Sequence, residues 1–385
     1  MRKICVITGT RAEYGQLSSL MHKIKDDDNL QLQIIATNMH LSPEFGLTYK
    51  EIETDGFIIN KKVHMLLSAD SSNATVKSMG LAMVGFADAF EDLKPDLIVI
   101  LGDRYEMLMA ASAALIYKIP IAHLSGGEIT EGAYDDAIRH SITKMSNLHF
   151  TATEDYRKRV IQLGESPNRV FNTGAIGLDN IKQIKLLSKS EFEKSIDFSL
   201  VDKSLLVTFH PVTLENISAE QQCKNLLSVL SNYTDYKIIF TLPNSDTDGR
   251  VIIRLINEYV NTHPEQSMVI HSLGKVRYLS ALKYVSAVVG NSSSGIVEAP
   301  SFGIPALNIG DRQRGRIAAS SVTNCGTSVS DISKGMETIL SDQTIMSAKS
   351  VKNPYEKEDT AQEIFQVIKK YPLENIIKKT FHNLS

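Results

Sequence analysis

Charged side chains suited to acid–base chemistry are concentrated in one short segment of this 385-residue chain, His123–Lys144. The segment follows an apolar run, Ile119–Leu124, that predicts a buried strand, and it passes a double glycine before a helical pattern begins. Its ionisable residues are Glu128, Glu131, Asp135, Asp136, Arg139, His140 and Lys144. Open α/β sheets bind ligands just beyond the carboxyl ends of their strands. We therefore expect a general acid or base here rather than an ordinary surface loop.

Two adjacent aspartates, Asp135 and Asp136, stand at the predicted start of the helix. An aspartate at this position often only caps the helix and offsets its dipole. Arg139 and His140 follow about one turn later, on neighbouring faces. A carboxylate crowded by others has a raised pKa and can serve as a general acid or base. We expect one of the two aspartates to cap the helix and the other to react.

Another charged pair, Asp103–Arg104, follows the very apolar run Leu97–Leu101, which predicts a buried strand. By topology this pair would lie at the same sheet edge as Glu128. Asp103 has the chemistry of a base, and Arg104 has the fork geometry that holds a phosphate. A helix cap with a structural ion pair is the alternative, and the second charged strand end favours function.

The first predicted strand runs into Thr8-Gly9-Thr10-Arg11, which opens a helix. The spacing is not the GxGxxG of dinucleotide-binding proteins. Backbone N–H groups at a helix start, together with Arg11, are typical of an anion site. A simple strand–helix turn is the competing interpretation.

In the second half of the chain, polar residues again follow apolar runs. His210 lies between Phe209 and Pro211, and the proline ends strand pairing and fixes the turn. We expect His210 to be functional, although a lone histidine is usually structural. Asn244 occupies the equivalent place after the next strand and gives a weaker signal. Ser272 follows the strand after that, and a helix cap explains it at least as well as ligand contact.

The motif Gly290-Asn291-Ser292-Ser293-Ser294-Gly295 connects a strand to a helix start. N–H groups and hydroxyls in such a turn bind a diphosphate without lysine. Glu298, about one turn into the helix, is placed to accept both hydroxyls of a ribose. The sequence therefore predicts a nucleotide site. Arg312, Arg314 and Arg316 follow the next strand; we expect one or two of them to meet the ligand, the alternative being a solvated face.

Composition excludes several classes of protein. The formal net charge of −3 gives no bulk field for nucleic acid or an anionic membrane. The three cysteines suit a reduced compartment, and no apolar run reaches the length of a membrane span. We find no metal-ligand spacing, no GxSxG and no P-loop, so we expect no metal and no cofactor. These observations favour a cytoplasmic enzyme that carries out acid–base chemistry on a nucleotide-linked substrate.

Alternation of apolar runs with helical patterns predicts an α/β fold of two doubly wound domains, each with a parallel sheet, facing each other across a cleft. We place the first domain at residues 1–180 and the second, ligand-binding domain at 190–355. A polar linker is expected near Gly177–Ser199. A helical stretch over residues 359–379 is expected to pack back onto the first domain.

The joint set of motifs resembles the UDP-N-acetylglucosamine 2-epimerase family, in its hydrolysing branch. The matching segments, in family order, are TGTRAEYG, LGDRYE, GGEITEGAYDDAIRHSITK, FHPVT, LPNSDTDG, GNSSSGIVEAP and IGDRQRGR. They cover nearly the whole chain. GDR and DDxIRHxITK are the features that point to the hydrolysing branch, which supplies N-acetylmannosamine-type sugars for sialic and legionaminic acid synthesis.

This resemblance implies two Rossmann-like domains of the GT-B type, a homodimer or homotetramer, and a UDP-sugar substrate. It implies that UDP is held by Arg11, Asn244, Ser292, Ser293, Glu298 and Arg312, with Arg104 and His210 at the diphosphate and leaving group. Asp103 and Asp135 would be the acid–base carboxylates. Many relatives carry Glu directly before the double glycine, where this chain has Ser125. Glu128 or Glu131 would then supply the missing carboxylate. We also count Arg139 and Ser272 as substrate-binding candidates.

The implied reaction eliminates UDP to give a 2-acetamidoglucal, which then takes up water, so that UDP and a free 2-epimerised sugar result. The substrate is UDP-N-acetylglucosamine or its 2,4-diacetamido-2,4,6-trideoxy analogue. Two alternatives remain: a glycosyltransferase of the same shape, and a nucleotide-sugar sensor. The carboxylate-rich segment argues against the transferase.

Overall fold

Thirteen strands in two parallel sheets make up the sheet structure of the computed structural model, which describes residues 1–67, 71–212, 217–243 and 249–384. The chain divides into two units. Unit 1 holds residues 1–128, 135–182 and 355 onward, and unit 2 holds residues 129–134 and 183–354. Within the described chain, no helix is both long and apolar enough to cross a membrane.

Seven strands form the sheet of unit 1, in the order β3-β2-β1-β4-β5-β6-β7. In chain order they are β1 Arg2–Thr8, β2 Leu30–Thr37, β3 Lys61–Val63, β4 Leu97–Leu101, β5 Ile121–Leu124, β6 Leu148–Thr151 and β7 Val170–Asn172. The strand order reverses between β1 and β4, which pair through Ile4 and Leu97. Ligand crevices of open α/β sheets lie at such a reversal, beyond the carboxyl ends of the strands.

Unit 2 repeats this plan with six strands in the order β10-β9-β8-β11-β12-β13. They are β8 Ser204–Thr208, β9 Lys237–Thr241, β10 Ser267–Ile270, β11 Ala287–Gly290, β12 Ala306–Ile309 and β13 Val322–Cys325. Here the order reverses between β8 and β11, where Thr208 pairs with Gly290. The expected pair of doubly wound α/β domains with parallel sheets is confirmed.

Amphipathic helices cover both sheets. In unit 1 they are α1 Arg11–Lys25, α2 Tyr49–Thr54, α3 Ser72–Leu93, α4 Tyr105–Tyr117, α5 Asp135–Met145, α6 Glu154–Gln162 and α7 Ile176–Gln183. In unit 2 they are α8 Lys189–Ile196, α9 Ala219–Leu230, α10 Gly249–Thr262, α11 Gly274–Tyr284, α12 Ser294–Val297, α13 Val329–Ile339 and α14 Asp342–Ala348. α15, Thr360–Lys370, returns to unit 1, where Ile364 and Phe365 join the core beside Leu17 and Leu20.

Three strands escaped the sequence prediction: β3, β7 and β13. All three are edge strands of three or four residues. An edge strand is only partly covered, so it needs no continuous apolar run, and β3 reads Lys-Lys-Val. Such short mixed segments give no periodicity to detect.

The chain passes from unit 1 to unit 2 between residues 182 and 183, inside the expected linker Gly177–Ser199, but α7 and α8 occupy most of that segment. Ser188 and Glu191 form a capping box at the start of α8. Phe192 and Ile196 then bury their side chains in unit 2. Two apolar residues four positions apart on a capped helix were the signal that the lysine-rich and serine-rich composition obscured.

The helical stretch expected over residues 359–379 is too long, since α15 ends at Lys370. Pro372 follows, and a proline disfavours helix at the residue before it. From Tyr371 to Leu384 the chain continues in unit 1 without a helix. Lys379 reaches the buried Glu165 at 2.9 Å, and Lys144 and His149 bind the same carboxylate. Burial opposes ionisation, yet these cationic and hydrogen-bonding partners lower the pKa of Glu165 to about 2.

Candidate functional site

Two backbone N–H groups of the turn after β1 are already hydrogen-bonded to a nearby side chain. The Glu13 carboxylate accepts from Gly9 N at 2.7 Å and from Thr10 N at 3.1 Å, while Thr10 caps α1 in return. Burial and the nearby Glu106 raise the pKa of Glu13 to about 8. The interpretation that these N–H groups bind an anion is therefore wrong for Gly9 and Thr10. A capping box explains them instead.

Arg11, expected to hold UDP, and Arg104, expected at the diphosphate, both have carboxylate partners in unit 1. Arg11 pairs with Glu51 at 2.7 Å, and about a quarter of its side chain is exposed (23%). Arg104 is nearly buried, and its Nε donates to Glu106 Oε1 at 2.8 Å. The Glu106 carboxylate lies against Gly9, where an added Cβ would come within 2.4 Å of Oε1. The structural ion pair weighed as the alternative for Arg104 is thus present.

Asp103 lies just beyond the carboxyl end of β4, at the reversal of the first sheet, and its carboxylate is bonded to Arg139. Arg139 is 1% exposed, while the Asp103 side chain keeps 20% of its surface in solvent. The guanidinium also donates to the Glu128 carbonyl at 3.0 Å. This burial corrects the expectation that Arg139 contacts the ligand: the arginine is a fixed cation behind Asp103, and it favours the ionised carboxylate that a base requires.

A buried histidine supports the backbone beneath Asp103. His123 on β5 is fully buried, with Nε2 at 2.8 Å from the Gly102 carbonyl and Nδ1 at 3.1 Å from Thr143 Oγ1. Burial lowers the pKa of His123 to about 3, so the ring is neutral. Nε2–H therefore donates to Gly102, and Nδ1 accepts from the threonine hydroxyl. Thr143 and Arg139 are on the same helix, so α5 and the β4 end are joined at two points.

The other carboxylates of the charged segment belong to two different units: Glu128, Asp135 and Asp136 lie in unit 1, and Glu131 lies in unit 2. Asp135 is the first residue of α5, and Asp136 pairs with His140 at 3.5 Å. Glu128 is buried, and it is the last residue of unit 1 before the chain enters unit 2. The backbone N–H of Glu131 donates to the Arg314 carbonyl. Its half-exposed carboxylate also pairs with the Arg314 side chain at 3.1 Å. Glu131 is therefore held as part of a surface ion pair and is a poor candidate for an acid.

At the reversal of the second sheet, the backbone of Gly290 on β11 leaves no room for a side chain against β8. Gly290 has φ +133°, and a Cβ there would lie 1.9 Å from the Thr208 carbonyl oxygen, so only glycine fits. Asn291 follows, fully buried, and its side chain holds the backbone of His210. His210 is itself 7% exposed at the end of β8. The structure thus places His210 beside the serine-rich turn, as the strand order predicts.

The helix expected after the serine-rich turn is only four residues long: α12 covers Ser294–Val297, and a 3-10 helix follows at Ala299–Phe302. Ser292 and Ser294 hydroxyls lie 3.2 Å apart, and Tyr278 is bonded to Ser294. Ser293 and Glu298 flank α12 on its two sides. Burial and Glu298 raise the pKa of Tyr278, so its hydroxyl stays protonated. The turn carries three hydroxyl side chains and one carboxylate within seven residues.

The remaining expected ligand residues fall in different places. Ser272 Oγ accepts from Gly274 N at 3.3 Å, but the N-cap of α11 is Leu273 and no side chain among the described residues caps this helix, so the cap alternative is wrong. Arg312 Nη1 donates to the Asn291 carbonyl at 3.2 Å. Asn244 lies outside the described residues.

Comparison with known proteins identifies the family. A family model described as UDP-N-acetylglucosamine 2-epimerase matches residues 22–369. The chain belongs to this family, and the resemblance drawn from its motifs is confirmed. The chain is 47% identical to the Campylobacter jejuni GDP/UDP-N,N'-diacetylbacillosamine 2-epimerase (hydrolyzing), with 88% of each chain covered. It is 35% identical to the Legionella pneumophila UDP-N,N'-diacetylbacillosamine 2-epimerase (hydrolyzing), with 98% of each covered. Polysialic acid biosynthesis protein P7 of Escherichia coli is 38% identical over 96% of this chain and 94% of that protein.

Solved structures agree on the fold. The Neisseria meningitidis UDP-GlcNAc 2-epimerase bound to UDP-GlcNAc has a TM-score of 0.80 at 18% identity, covering 95% of this chain and 99% of that one. The Staphylococcus aureus MnaA–UDP structure has a TM-score of 0.79 at 19% identity and covers 100% of both chains. The expected GT-B type of fold is confirmed by these likenesses.

Sequence reasoning missed three residues that position candidate site residues within their own units: Glu13 and His123 in unit 1, and Asn291 in unit 2. Glu13 had a detectable signal, because Thr10 and Glu13 are spaced as in a capping box. His123 and Asn291 had only weak ones, a polar residue inside an apolar strand and a polar residue directly after one. Their partners, Gly102 and His210, are 21 and 81 residues away in the chain. Contacts of that range leave no local pattern.

Proposed function

We propose that this protein is a hydrolysing UDP-sugar 2-epimerase that converts a UDP-2-acetamido sugar and water into UDP and the free 2-epimerised manno sugar. The observation that carries the proposal is the partly exposed Asp103 carboxylate, bonded to the buried Arg139 at the reversal of the first sheet. A glycosyltransferase or a sensor needs no base that removes a proton from C2 of the sugar. The printed names of the 47% and 35% identical relatives support the hydrolysing reaction.

In the proposed mechanism, the bond between C1 and the diphosphate breaks first, because the C2 hydrogen is barely acidic. Asp103 then removes the C2 proton, and the electron pair forms the C1–C2 double bond of a 2-acetamidoglucal. The oxygen of a water molecule then bonds to C1 and one of its protons passes to solvent, while a carboxyl group of the enzyme delivers a proton to C2 from the opposite face. We assign that proton donor to Asp135, with the buried Glu128 as the alternative. His210 and the serine-rich turn would stabilise the leaving UDP.

For the substrate, we propose the 2,4-diacetamido-2,4,6-trideoxy sugar over N-acetylglucosamine, with a place in nonulosonic acid synthesis. Two relatives carry diacetylbacillosamine in their names. UDP would be held by Ser292, Ser293, Glu298 and Arg312, with Arg11, Arg104, Asn244 and Ser272 as further candidates. The test is to incubate the enzyme with each UDP-sugar separately and quantify UDP and the released sugar. We expect UDP and free manno sugar without any acceptor, faster from the trideoxy compound. Release of UDP only when an acceptor is added would identify a transferase, and no release would identify a sensor.

We also propose that the protein is a homodimer, paired through α3. Four exposed residues on this helix, Lys77, Leu81, Val84 and Asp88, are spaced 4, 3 and 4 apart, so they form one stripe. Leu81 is 46% and Val84 64% exposed. If two copies of α3 pair antiparallel about a two-fold axis between residues 82 and 83, Lys77 faces Asp88 and Leu81 faces Val84. A stripe that complements its own reverse fits a second copy of the chain.

Charge reversal tests this pairing. Lys77→Glu or Asp88→Lys alone should raise the dimer dissociation constant about tenfold, since each change occurs twice in the interface. The double variant should restore the wild-type constant. Leu81→Glu should weaken the dimer further, whereas Met346→Glu, at a 71% exposed site on α14, should have no effect. Analytical ultracentrifugation measures the wild type and the five variants. A monomeric wild type, or single and double charge variants that do not differ, would rule out this interface.

A further inference from the structure

The side chain of Asn291 is bonded to both backbone polar groups of one residue, His210. Asn291 Oδ1 accepts from His210 N at 2.7 Å, and Asn291 Nδ2 donates to the His210 carbonyl at 2.8 Å. Asn291 is fully buried. An amide has one donor end and one acceptor end, and the backbone of His210 requires one of each, so the orientation of the amide is fixed.

This contact continues the sheet where backbone pairing stops. β8 ends at Thr208 and β11 at Gly290, and these two residues form the last paired positions. Asn291 N still donates to the Thr208 carbonyl at 3.1 Å. Beyond that point the strands have no ladder, and Pro211 provides no N–H for one. The amide of Asn291 therefore replaces a backbone partner for His210 and fixes the segment from which its imidazole projects.

Asn291 also joins this segment to the loop after β12. The Asn291 carbonyl oxygen accepts from Arg312 Nη1 at 3.2 Å and from Gln313 Nε2 at 3.0 Å. Gln313 is 3% exposed. One buried residue thus sets the relative positions of a histidine and an arginine that come from two different strand ends.

We infer that Asn291 is a positioning residue that fixes His210, and with it Arg312, for departure of the anionic leaving group. The inference rests on the proposed function, because it assigns His210 and Arg312 to the leaving diphosphate. Asn291 itself need not touch the substrate. Its effect should therefore be on turnover more than on UDP affinity.

The variant Asn291→Asp tests this with little change of shape. A carboxylate keeps an acceptor for His210 N–H but puts a second oxygen against the His210 carbonyl. A protonated carboxyl restores the donor. The charged or titratable side chains bonded to or held by residue 291 are Arg312 and His210. The Arg312 cation favours a carboxylate at residue 291, but it bonds the main-chain carbonyl there, whereas full burial and the facing His210 carbonyl oxygen disfavour the charge on the side chain. We expect the second effect to dominate, so the pKa of the introduced carboxyl should lie above its usual value. We expect kcat about 30-fold below wild type at pH 8.5, with KM within about threefold. The ratio of variant to wild-type kcat should recover as pH falls to 5.5.

Two controls separate positioning from general loss of structure. Asn308→Asp changes another buried asparagine, on β12, which is bonded to Asn324 at 2.8 Å. It should not show the recovery at low pH. In a His210→Asn background, Asn291→Asp should lower kcat little further, because both substitutions act through the His210 imidazole. A kcat ratio that does not change with pH, or full additivity with His210→Asn, would overturn the inference.

A second readout does not depend on turnover. In NMR spectra of histidine-labelled protein, the His210 imidazole signals should differ between wild type and Asn291→Asp at pH 8.5 and converge at pH 5.5. Wild type that fails to turn over UDP-sugars but shows this convergence would contradict the proposed function and leave the Asn291–His210 coupling intact. Active wild type with identical His210 signals in both proteins would contradict the coupling alone.

Discussion

Asp103→Asn should reduce kcat by about three orders of magnitude while UDP affinity stays within about threefold. Asparagine keeps the shape of the side chain but cannot take up the C2 proton. The variant also removes the anionic partner of the buried Arg139, so a lower unfolding midpoint is expected alongside. Turnover is measured by UDP release and affinity by isothermal titration with UDP.

The matched control is Asp96→Asn, the same substitution at the opposite end of the same strand. Asp96 accepts from Lys3 N at 2.8 Å, and an asparagine oxygen can still accept there. We expect this control to retain wild-type kcat. Loss of UDP affinity with turnover intact in Asp103→Asn would exclude Asp103 as the base.

Gly290→Ala should destabilise unit 2 by about 2–6 kcal/mol, since it adds backbone strain to a steric clash. The clash is with a backbone carbonyl, 1.9 Å from the new Cβ, and the φ of +133° is unfavourable for any L side chain. Gly290 and Thr208 are paired residues of β11 and β8, so the added side chain would force these strands apart next to the contact between Asn291 and His210. Urea unfolding monitored by circular dichroism measures the shift.

Gly295→Ala is the control for that prediction. This glycine is in α12, five residues further on, and its added Cβ would find its nearest neighbours at 3.6 Å. Alanine also favours helix over glycine by up to about 1 kcal/mol. We expect a midpoint equal to or slightly above that of wild type. Equal midpoints for Gly290→Ala and Gly295→Ala would mean that glycine is not required at position 290.

The strand ends could be predicted from sequence because apolar runs and the turns after them are local features. Asp103, His210 and Ser292 were each expected beyond a strand, and the strand order brings two of them, His210 and Ser292, to the same reversal. The family could be predicted because seven motifs occur in the family order. These inferences depend on the spacing of residues along the chain, which can be read directly from the sequence.

Charge partners could not be predicted in the same way. Arg139 was expected at the ligand, yet it is buried behind Asp103, 36 residues away in the chain. The N–H groups of Gly9 and Thr10 were expected to bind an anion, yet Glu13 takes them. A sequence shows which groups can form ion pairs or hydrogen bonds, but burial and distance decide which pairs form. Glu131 illustrates the same limit, since residues 129–134 belong to unit 2 although the flanking residues belong to unit 1.

The central claim is that this protein inverts C2 while it hydrolyses the bond to UDP. The direct measurement is a proton NMR time course in D2O with UDP-N-acetylglucosamine and with its 2,4-diacetamido-2,4,6-trideoxy analogue. We predict release of UDP together with a free manno sugar that carries deuterium at C2, from at least one of the two substrates. A released sugar of unchanged configuration that retains its C2 proton, or intact substrates without exchange at C2, would contradict the account.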